Sequence, residues 1–374
     1  MAGKRGLDDD DREVVGLPPN WVDILCQGKT AETLARLIAG IASQGNITVE
    51  QIKKAKDEIP SFSAANWPYV SKRFGLNESI AALLLQLPYH APPQRRLPPS
   101  LHRTVFKNAW HALDVFQEKN FQRREAAGVR VLDTYMVPAL GYYHGRVVNT
   151  AEESMAATEY TSGGQVENEI RMTGASMMKV AELKRDATKD DYLAQLFLEM
   201  HSAAHMNETL GLPMQRVYGL LCDMENFMFF SYNPTQKQFS FDEHILVDKK
   251  KDYALPEMIA VTNKIFSIIF DAFFERVRAL CSTPVAKRVT PRYQPQIWRN
   301  AFELLKQSRA KFEEKATTVP EIEVKSTEAL ELLRRAVTCI PRYNTTTSKL
   351  DSPTPVLLEQ LATNCVDKWH RDNL

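Results

Sequence analysis

Residues 176–206 constrain the fold more than any other part of this chain, because they join a strand pattern to a helix pattern through a charged turn. Residues 176–184 begin apolar and end on Glu182 and Lys184, which an alternating strand places on the same face. From Asp190 onward, apolar residues recur at helical spacing. A carboxylate and an ammonium at the end of a buried strand lose solvation energy. They therefore need either a mutual ion pair or a function.

The Glu-x-Lys spacing alone is a weak signal, since it recurs at Glu313/Lys315 and at Glu323/Lys325. The Glu323 copy lies between two helical patterns, so we interpret it as a solvated helix entry. Only the Glu182 copy has predicted strands on both sides. Its context, rather than the motif, singles it out.

Composition narrows the class of protein. The apolar fraction of 44% and the charged fraction of 25% are those of a soluble globular chain. A net charge of +1 means that any nucleic-acid site must be a local basic patch. The five cysteines are widely spaced and odd in number, which predicts reduced thiols. We expect an intracellular protein of the nucleus or cytoplasm, without a membrane span.

Changes of pattern predict five regions. Residues 1–17 are expected to be a disordered start, and residues 18–90 a small helical bundle. Prolines concentrate in residues 91–99, which predict a stiff linker containing Arg95 and Arg96. Residues 100–255 are expected to form the α/β core, and residues 256–374 a C-terminal helical region.

Within the core, the predicted order is helix, three strands, helix and further strands. Strands are predicted at 154–160, 165–172 and 176–184, and again at 217–222, 227–232 and 239–247. A long helix is predicted over residues 100–128, continuing from 129 to 140 if Gly128 interrupts it. The predicted fold class is therefore α/β (α+β), with a mixed sheet flanked by N- and C-terminal helices.

This order resembles the PD-(D/E)XK, or restriction-endonuclease-like, nuclease superfamily, in the form found in fungal and oomycete transposon-linked and Crinkler-type proteins. The resemblance covers roughly residues 121–247. It depends on Glu125 and its neighbours on the leading helix, on the Val-Ala-Glu-Leu-Lys run that ends at Lys184, and on residues 217–232. It implies a nuclease that uses Mg²⁺ or Mn²⁺ and hydrolyses nucleic acid, with DNA as the expected substrate.

The resemblance also implies roles for individual residues. Glu182 would be the second metal-binding acid, Lys184 the catalytic lysine, and the Leu183 carbonyl a further metal ligand. Glu125 and Gln195 would be accessory residues, although the helical pattern favours a solvated Gln195. The chain departs from the family at the first acid, normally an aspartate, where it offers Glu167 and Glu169. Glu167 is preferred, and exposed hairpin acids are the alternative for both.

Basic and aromatic residues after the core favour contact with phosphates and bases. They are Lys287, Arg288, Arg292 and Arg299, near Tyr293 and Trp298. A zinc site at His201 and His205 is less favoured, because no third ligand is evident.

Two function classes remain open. One is an active nuclease, and the other is a catalytically degenerate fold that binds nucleic acid or a protein through its helical regions.

Overall fold

The computed structural model describes residues 59–117, 125–155, 157–172, 175–183, 189–212, 214–282, 295–342 and 354–373. Contact clustering divides the chain into a first unit, Met1–Pro60, and a second unit, Ser61–Leu374. The predicted helices before residue 58 lie outside the described residues. Every element below belongs to the second unit.

Helices of this unit precede, interrupt and follow the strands. They are α1 (Trp67–Phe74), α2 (Ile80–Gln86), α3 (Pro99–Phe116), α4 (Glu125–Gly141), α5 (Asp190–Thr209), α6 (Lys251–Ser282), α7 (Pro295–Glu313), α8 (Val319–Cys339) and α9 (Pro355–Asn373). None of the helices in the described part of the chain is both long and apolar enough to cross a membrane.

Six strands form one mixed sheet in sequence order. They are β1 (Val147–Met155), β2 (Gly164–Met172), β3 (Ala175–Leu183), β4 (Val217–Cys222), β5 (Asn226–Asn233) and β6 (Gln238–Leu246). Neighbouring strands are antiparallel except for β3 and β4, which are parallel and joined through α5. The mixed α+β class is therefore confirmed.

Helices cover both faces of the sheet. On one face, Ile170, Leu220 and Phe229 belong to a core that includes residues of α3, α4, α6, α7 and α8. On the other, Val217, Leu221 and Phe230 pack with α1, α2 and α5. Successive residues of β4 enter opposite cores, as the period of a strand requires. All six residues of β4 are buried, which is typical of a strand covered on both faces.

A glycine fixes how closely α5 approaches the sheet. A Cβ at Gly219 of β4 would lie 2.5 Å from the Sδ atom of Met200 and 3.0 Å from a Cδ atom of Leu196. Met200 and Leu196 are fully buried, so neither can turn out into solvent. The missing side chain therefore sets the spacing between α5 and the β3–β4 pair.

Two sequence predictions about element bounds are wrong. The first strand covers Val147–Met155 rather than 154–160. It is an edge strand, where polar residues such as Glu153 are tolerated, so its sequence lacks a strong apolar alternation. The helix predicted over 100–128 ends at Phe116, where Gln117 adopts a φ of 69°. The next helix, α4, runs through Gly128 and contains Pro138.

The proline-rich segment, residues 88–99, differs from the predicted linker at 91–99, because it is hydrogen-bonded to β6 and to α6. The amide of His90 donates to the Phe241 carbonyl of β6, and the Phe241 amide donates to the Pro88 carbonyl. The amide of Arg95 donates to Ser267 Oγ at 2.8 Å, and its guanidinium binds Asp271 at 2.6 Å. Residues 61–99 consequently belong with the sheet, and the division between units falls at Pro60.

Replacing Gly219 by alanine is expected to destabilise the protein by about 1–3 kcal/mol, because a new methyl group must displace buried side chains. Chemical denaturation of the variant measures this loss. Gly141→Ala is the matched control, since nothing lies within 4 Å of the added Cβ and α4 ends there. Equal stability of both variants would contradict the close approach of α5.

Limited proteolysis tests the attachment of the proline-rich segment. Trypsin is expected to spare the bond between Arg95 and Arg96 in the folded protein, because Arg95 is 1% exposed and bonded to α6. Mass spectrometry of the early fragments provides the measurement. Early cleavage after Arg95 that leaves both fragments folded would support a linker at residues 91–99 instead.

Candidate functional site

The candidate site lies at the end of the sheet where the carboxyl ends of the interior strands β3 and β4 meet. We call this end the β3 edge. β3 pairs with β4 in parallel as far as Leu183 and Cys222, with an irregularity after Ala181. β2 is antiparallel to β3, and their pairing runs from Met172 opposite Ala175 to Asn168 opposite Val180. The start of β2 and the ends of β3 and β4 therefore meet at one edge of the sheet.

The backbone brings the predicted metal-binding residues to this edge. Glu182 and Leu183 are the last two residues of β3, and Glu167 lies one residue beyond the final β2–β3 pair. The side chains of Glu167 and Glu182 lie outside the described parts of the structure, as does all of Lys184. Their roles stay predictions, although Glu167 and Glu182 share one end of the hairpin.

Glu169 is the buried acid of β2. Its side chain is 1% exposed, and Arg171 Nε lies 3.9 Å from its Oε1 atom. Its neighbour Ile170 packs into the core on the α4 and α6 side, so alternation directs Glu169 toward the α5 side. Glu169 pairs with Lys179 of β3, which in turn pairs with Gly219. The prediction preferred Glu167; of the two acids, Glu169 is the one whose side chain the structure describes.

A second buried carboxylate, which the sequence did not single out, lies on α5. Glu199 is 1% exposed, and Gln195 Nε2 donates to its Oε1 atom at 2.8 Å. Gln195 is half-buried rather than solvated, so the helical-wheel interpretation is wrong at this position. The signal that could have found the pair is the i, i+4 spacing of Gln195 and Glu199 beside Met200.

Asp223, directly after β4, has a structural role at the same edge. Its Oδ1 atom accepts hydrogen bonds from the amides of Glu225 and Asn226 at 2.9 and 2.8 Å, and from the Asn226 side chain. These bonds form the turn from β4 into β5. Asp223 is 3% exposed and follows the residue that pairs with Leu183, so it adds negative charge beside the end of β3.

The other predicted residues lie away from the β3 edge or outside the described residues. Glu125 is the first residue of α4, which packs on the face opposite α5 and Gln195. Its side chain is not described. Arg299 is exposed on α7. Lys287, Arg288 and Arg292 fall in residues 283–294, outside the described part of the chain, so the basic patch stays a prediction. The Glu323 copy of the motif lies in the first turns of α8, as predicted.

The donor atoms at the β3 edge suit a hard divalent cation. Glu167, Glu169, Glu182 and the Leu183 carbonyl offer oxygen only, which is the ligand type that Mg²⁺ and Mn²⁺ prefer. Among the described side chains, no group of three or more His, Cys, Asp or Glu residues is arranged to hold a metal ion. That search does not reach the side chains of Glu167 and Glu182.

His201 packs among aromatic rings, unlike a zinc ligand. The ring centroids of Phe74, Tyr160 and Tyr232 lie 5.4, 5.0 and 5.6 Å from that of His201. Burial is the main cause that lowers the pKa of His201 to about 4, so the imidazole is neutral at pH 7. His205, one turn later on α5, is exposed.

No family model matches this chain, and neither a curated protein nor a solved structure matches it.

Acid should destabilise the protein through His201. An unfolded histidine has a pKa near 6.5, so the unfolded chain binds this proton first as the pH falls. The stability from neutral His201 is therefore complete above pH 6.5 and is lost as the pH falls toward about 4. His201→Phe should flatten the pH dependence of the free energy of unfolding in this window. His205→Phe, at an exposed position one turn away, should change it less than His201→Phe does. Parallel slopes for wild type and His201→Phe would refute the assignment.

Proposed function

We propose that this chain hydrolyses phosphodiester bonds of DNA in a metal-dependent reaction, at a PD-(D/E)XK-like site on the β3 edge. One observation carries the proposal. A helix, three antiparallel strands, a helix and a strand parallel to the third follow in sequence, and Glu182 stands at the end of that third strand. The same order and the same position of Glu-x-Lys define the resemblance found in the sequence.

The proposed roles follow from the chemistry of each side chain. Glu182, the Leu183 carbonyl and a glutamate of β2 would hold the cation. A bound Mg²⁺ or Mn²⁺ would neutralise phosphate oxygens and lower the pKa of a ligand water. Lys184 orients the attacking water and stabilises the charge that develops on the phosphate. The Gln195–Glu199 pair lies on α5, the helix that follows β3 in the chain.

Glu169, whose described side chain is buried, is a candidate for the acid from β2 beside the preferred Glu167. A buried carboxylate needs a nearby positive group, and Arg171 lies beside Glu169. The alternative is that Arg171 holds Glu169 as a structural ion pair, in which case Glu167 supplies the acid. Separate alanine variants of the two glutamates distinguish these cases.

A second candidate function is a binding scaffold, which α9 favours. Apolar residues of this helix are exposed, among them Leu358 at 57% and Trp369 at 62%. An apolar helix surface of this kind is typical of protein–protein contact. In that case glutamate in place of the usual first aspartate marks a site that has lost activity.

Purified wild-type protein is expected to nick or linearise plasmid DNA with Mg²⁺ or Mn²⁺, and EDTA is expected to abolish this. Glu182→Gln should reduce cleavage at least about 100-fold by removing a metal ligand. It should also weaken Mn²⁺ binding in calorimetry. Lys184→Ala should abolish cleavage while leaving Mn²⁺ binding in place, because an ammonium is not a ligand.

Glu313→Gln is the matched control. It changes an exposed glutamate of a second Glu-x-Lys copy, paired only with Arg309 on α7 among its described contacts. It should cleave like the wild type. Folding of each variant is checked by thermal unfolding. A folded wild-type protein that binds no divalent ion and cuts no DNA would reject the nuclease and favour the scaffold.

A further inference from the structure

A groove between α3 and α6 has the size and lining of a small-molecule site. Its volume is about 690 Å³, within the range of known ligand pockets. We call it the α3–α6 groove, and the lining residues used below are Arg96, His102, Phe106, Tyr135, Met258 and Asn263. It lies among the helices beyond one face of the sheet, so it is separate from the proposed nuclease site.

The two helices run antiparallel, so the groove has two distinct ends. His102 of α3 contacts Asn263 of α6 at one end. Near the other end, the Lys251 ammonium lies over the Trp110 ring, 4.1 Å from its centroid. Along α6, the lining runs from Leu255 to Asn263, about 12 Å at 1.5 Å per residue. One end is polar and the other is apolar.

The polar end presents donors and positive charge. Arg96 and Arg103 line it, and Lys107 lies one turn further along α3. Arg103 is 3.9 Å from Glu323 and its side chain remains 69% exposed. Among the described residues that line the groove there is no carboxylate. The groove therefore complements a negative charge.

Asn263 supplies a donor, its Nδ2 amide, that no described residue uses. Its Oδ1 atom accepts from the Leu97 amide at 2.9 Å and contacts His102 Nε2 at 3.2 Å. Because Oδ1 is the acceptor for both, the Nδ2 amide is left without a hydrogen-bond partner among the described residues. Asn263 is 7% exposed, and its Nδ2 atom retains some access to the groove. Such a group gains free energy from a ligand oxygen.

The apolar end is incompletely covered. Phe106 and Ile259 are each 42% exposed, while Val105, Met258 and Leu255 beneath them are buried. An aliphatic chain laid along this end would remove apolar surface of Phe106 and Ile259 from water.

We propose that the α3–α6 groove binds a single-chain lipid anion. The anionic head accepts hydrogen bonds from Arg96, Arg103 and Asn263 Nδ2, and the aliphatic chain lies along Met258 and Ile259 toward Tyr135. The short lined length of about 12 Å along α6 favours a single-chain ligand over a folded protein segment. A carboxylate and a phosphate monoester share this chemistry.

Calorimetric titration of the full-length protein with laurate and with dodecyl phosphate, both below their micellar concentrations, tests the proposal. Binding of either anion at one site per chain is expected, with at least about 10-fold weaker binding of dodecanol, which lacks the charge. Dodecyltrimethylammonium should not bind. Equal affinity for the anion, the alcohol and the cation would overturn the proposal, as would binding only to vesicles of phosphatidylserine and phosphatidylcholine.

Variants locate the site. Arg96→Gln and Arg103→Gln should each weaken anion binding about 10-fold, because a charged hydrogen bond is lost, while dodecanol binding stays unchanged. Ile259→Trp, at a half-exposed position, should fill the apolar end and block both ligands.

Arg335→Gln, an exposed arginine on α8 outside the groove, is the matched control and should bind like the wild type. Thermal unfolding verifies that each variant is folded. Unchanged anion binding in Arg96→Gln, Arg103→Gln and Ile259→Trp would place the ligand elsewhere and reject the groove.

Discussion

The close packing of α5 on the parallel β3–β4 pair is the constraint on which the rest of the structure depends. Gly219 permits this approach, since Met200 and Leu196 occupy the space where a side chain would stand. The chain leaves the sheet at the end of β3 and returns through α5 into β4. The distance between α5 and the sheet therefore determines how β3 and β4 lie side by side as a parallel pair. The same packing places Gln195 and Glu199 on the helix that follows the end of β3.

The opposite face of the sheet depends on polar contacts as well as on apolar packing. Lys264 of α6 binds Asp242 of β6 at 2.6 Å, and both side chains are nearly fully buried. Arg95 of the proline-rich segment binds Asp271 of α6 and stacks on Phe270 at 4.4 Å. Buried ion pairs add little net stability, but breaking one is costly. They therefore fix how α6 and the proline-rich segment sit against the sheet.

Carboxylates occur on β2, β3 and α5 and in the turn after β4, which are neighbouring elements, and each has a different environment. Glu169 and Glu199 are buried on the α5 side, and Asp223 forms the turn after β4. Glu182 and Glu167 are placed at the β3 edge by the backbone alone. Gathering negative charge at one edge of a sheet is costly without cations. Glu167 and Glu182, whose backbones lie at the same end of the β2–β3 hairpin, connect the strand arrangement to the proposed metal-dependent activity.

By itself, the sequence determined whether most segments form a helix or a strand, because burial of one or both faces imposes a characteristic spacing of apolar residues. Residues 176–184, 217–222 and 227–232 were predicted as strands and the segment from Asp190 as a helix. The structure confirms these elements, the first as far as Leu183. Only the tertiary structure decided that residues 61–99 join the sheet, that Glu169 is buried and that Gln195 bonds to Glu199. Such facts depend on contacts between residues far apart in sequence, which local spacing does not encode.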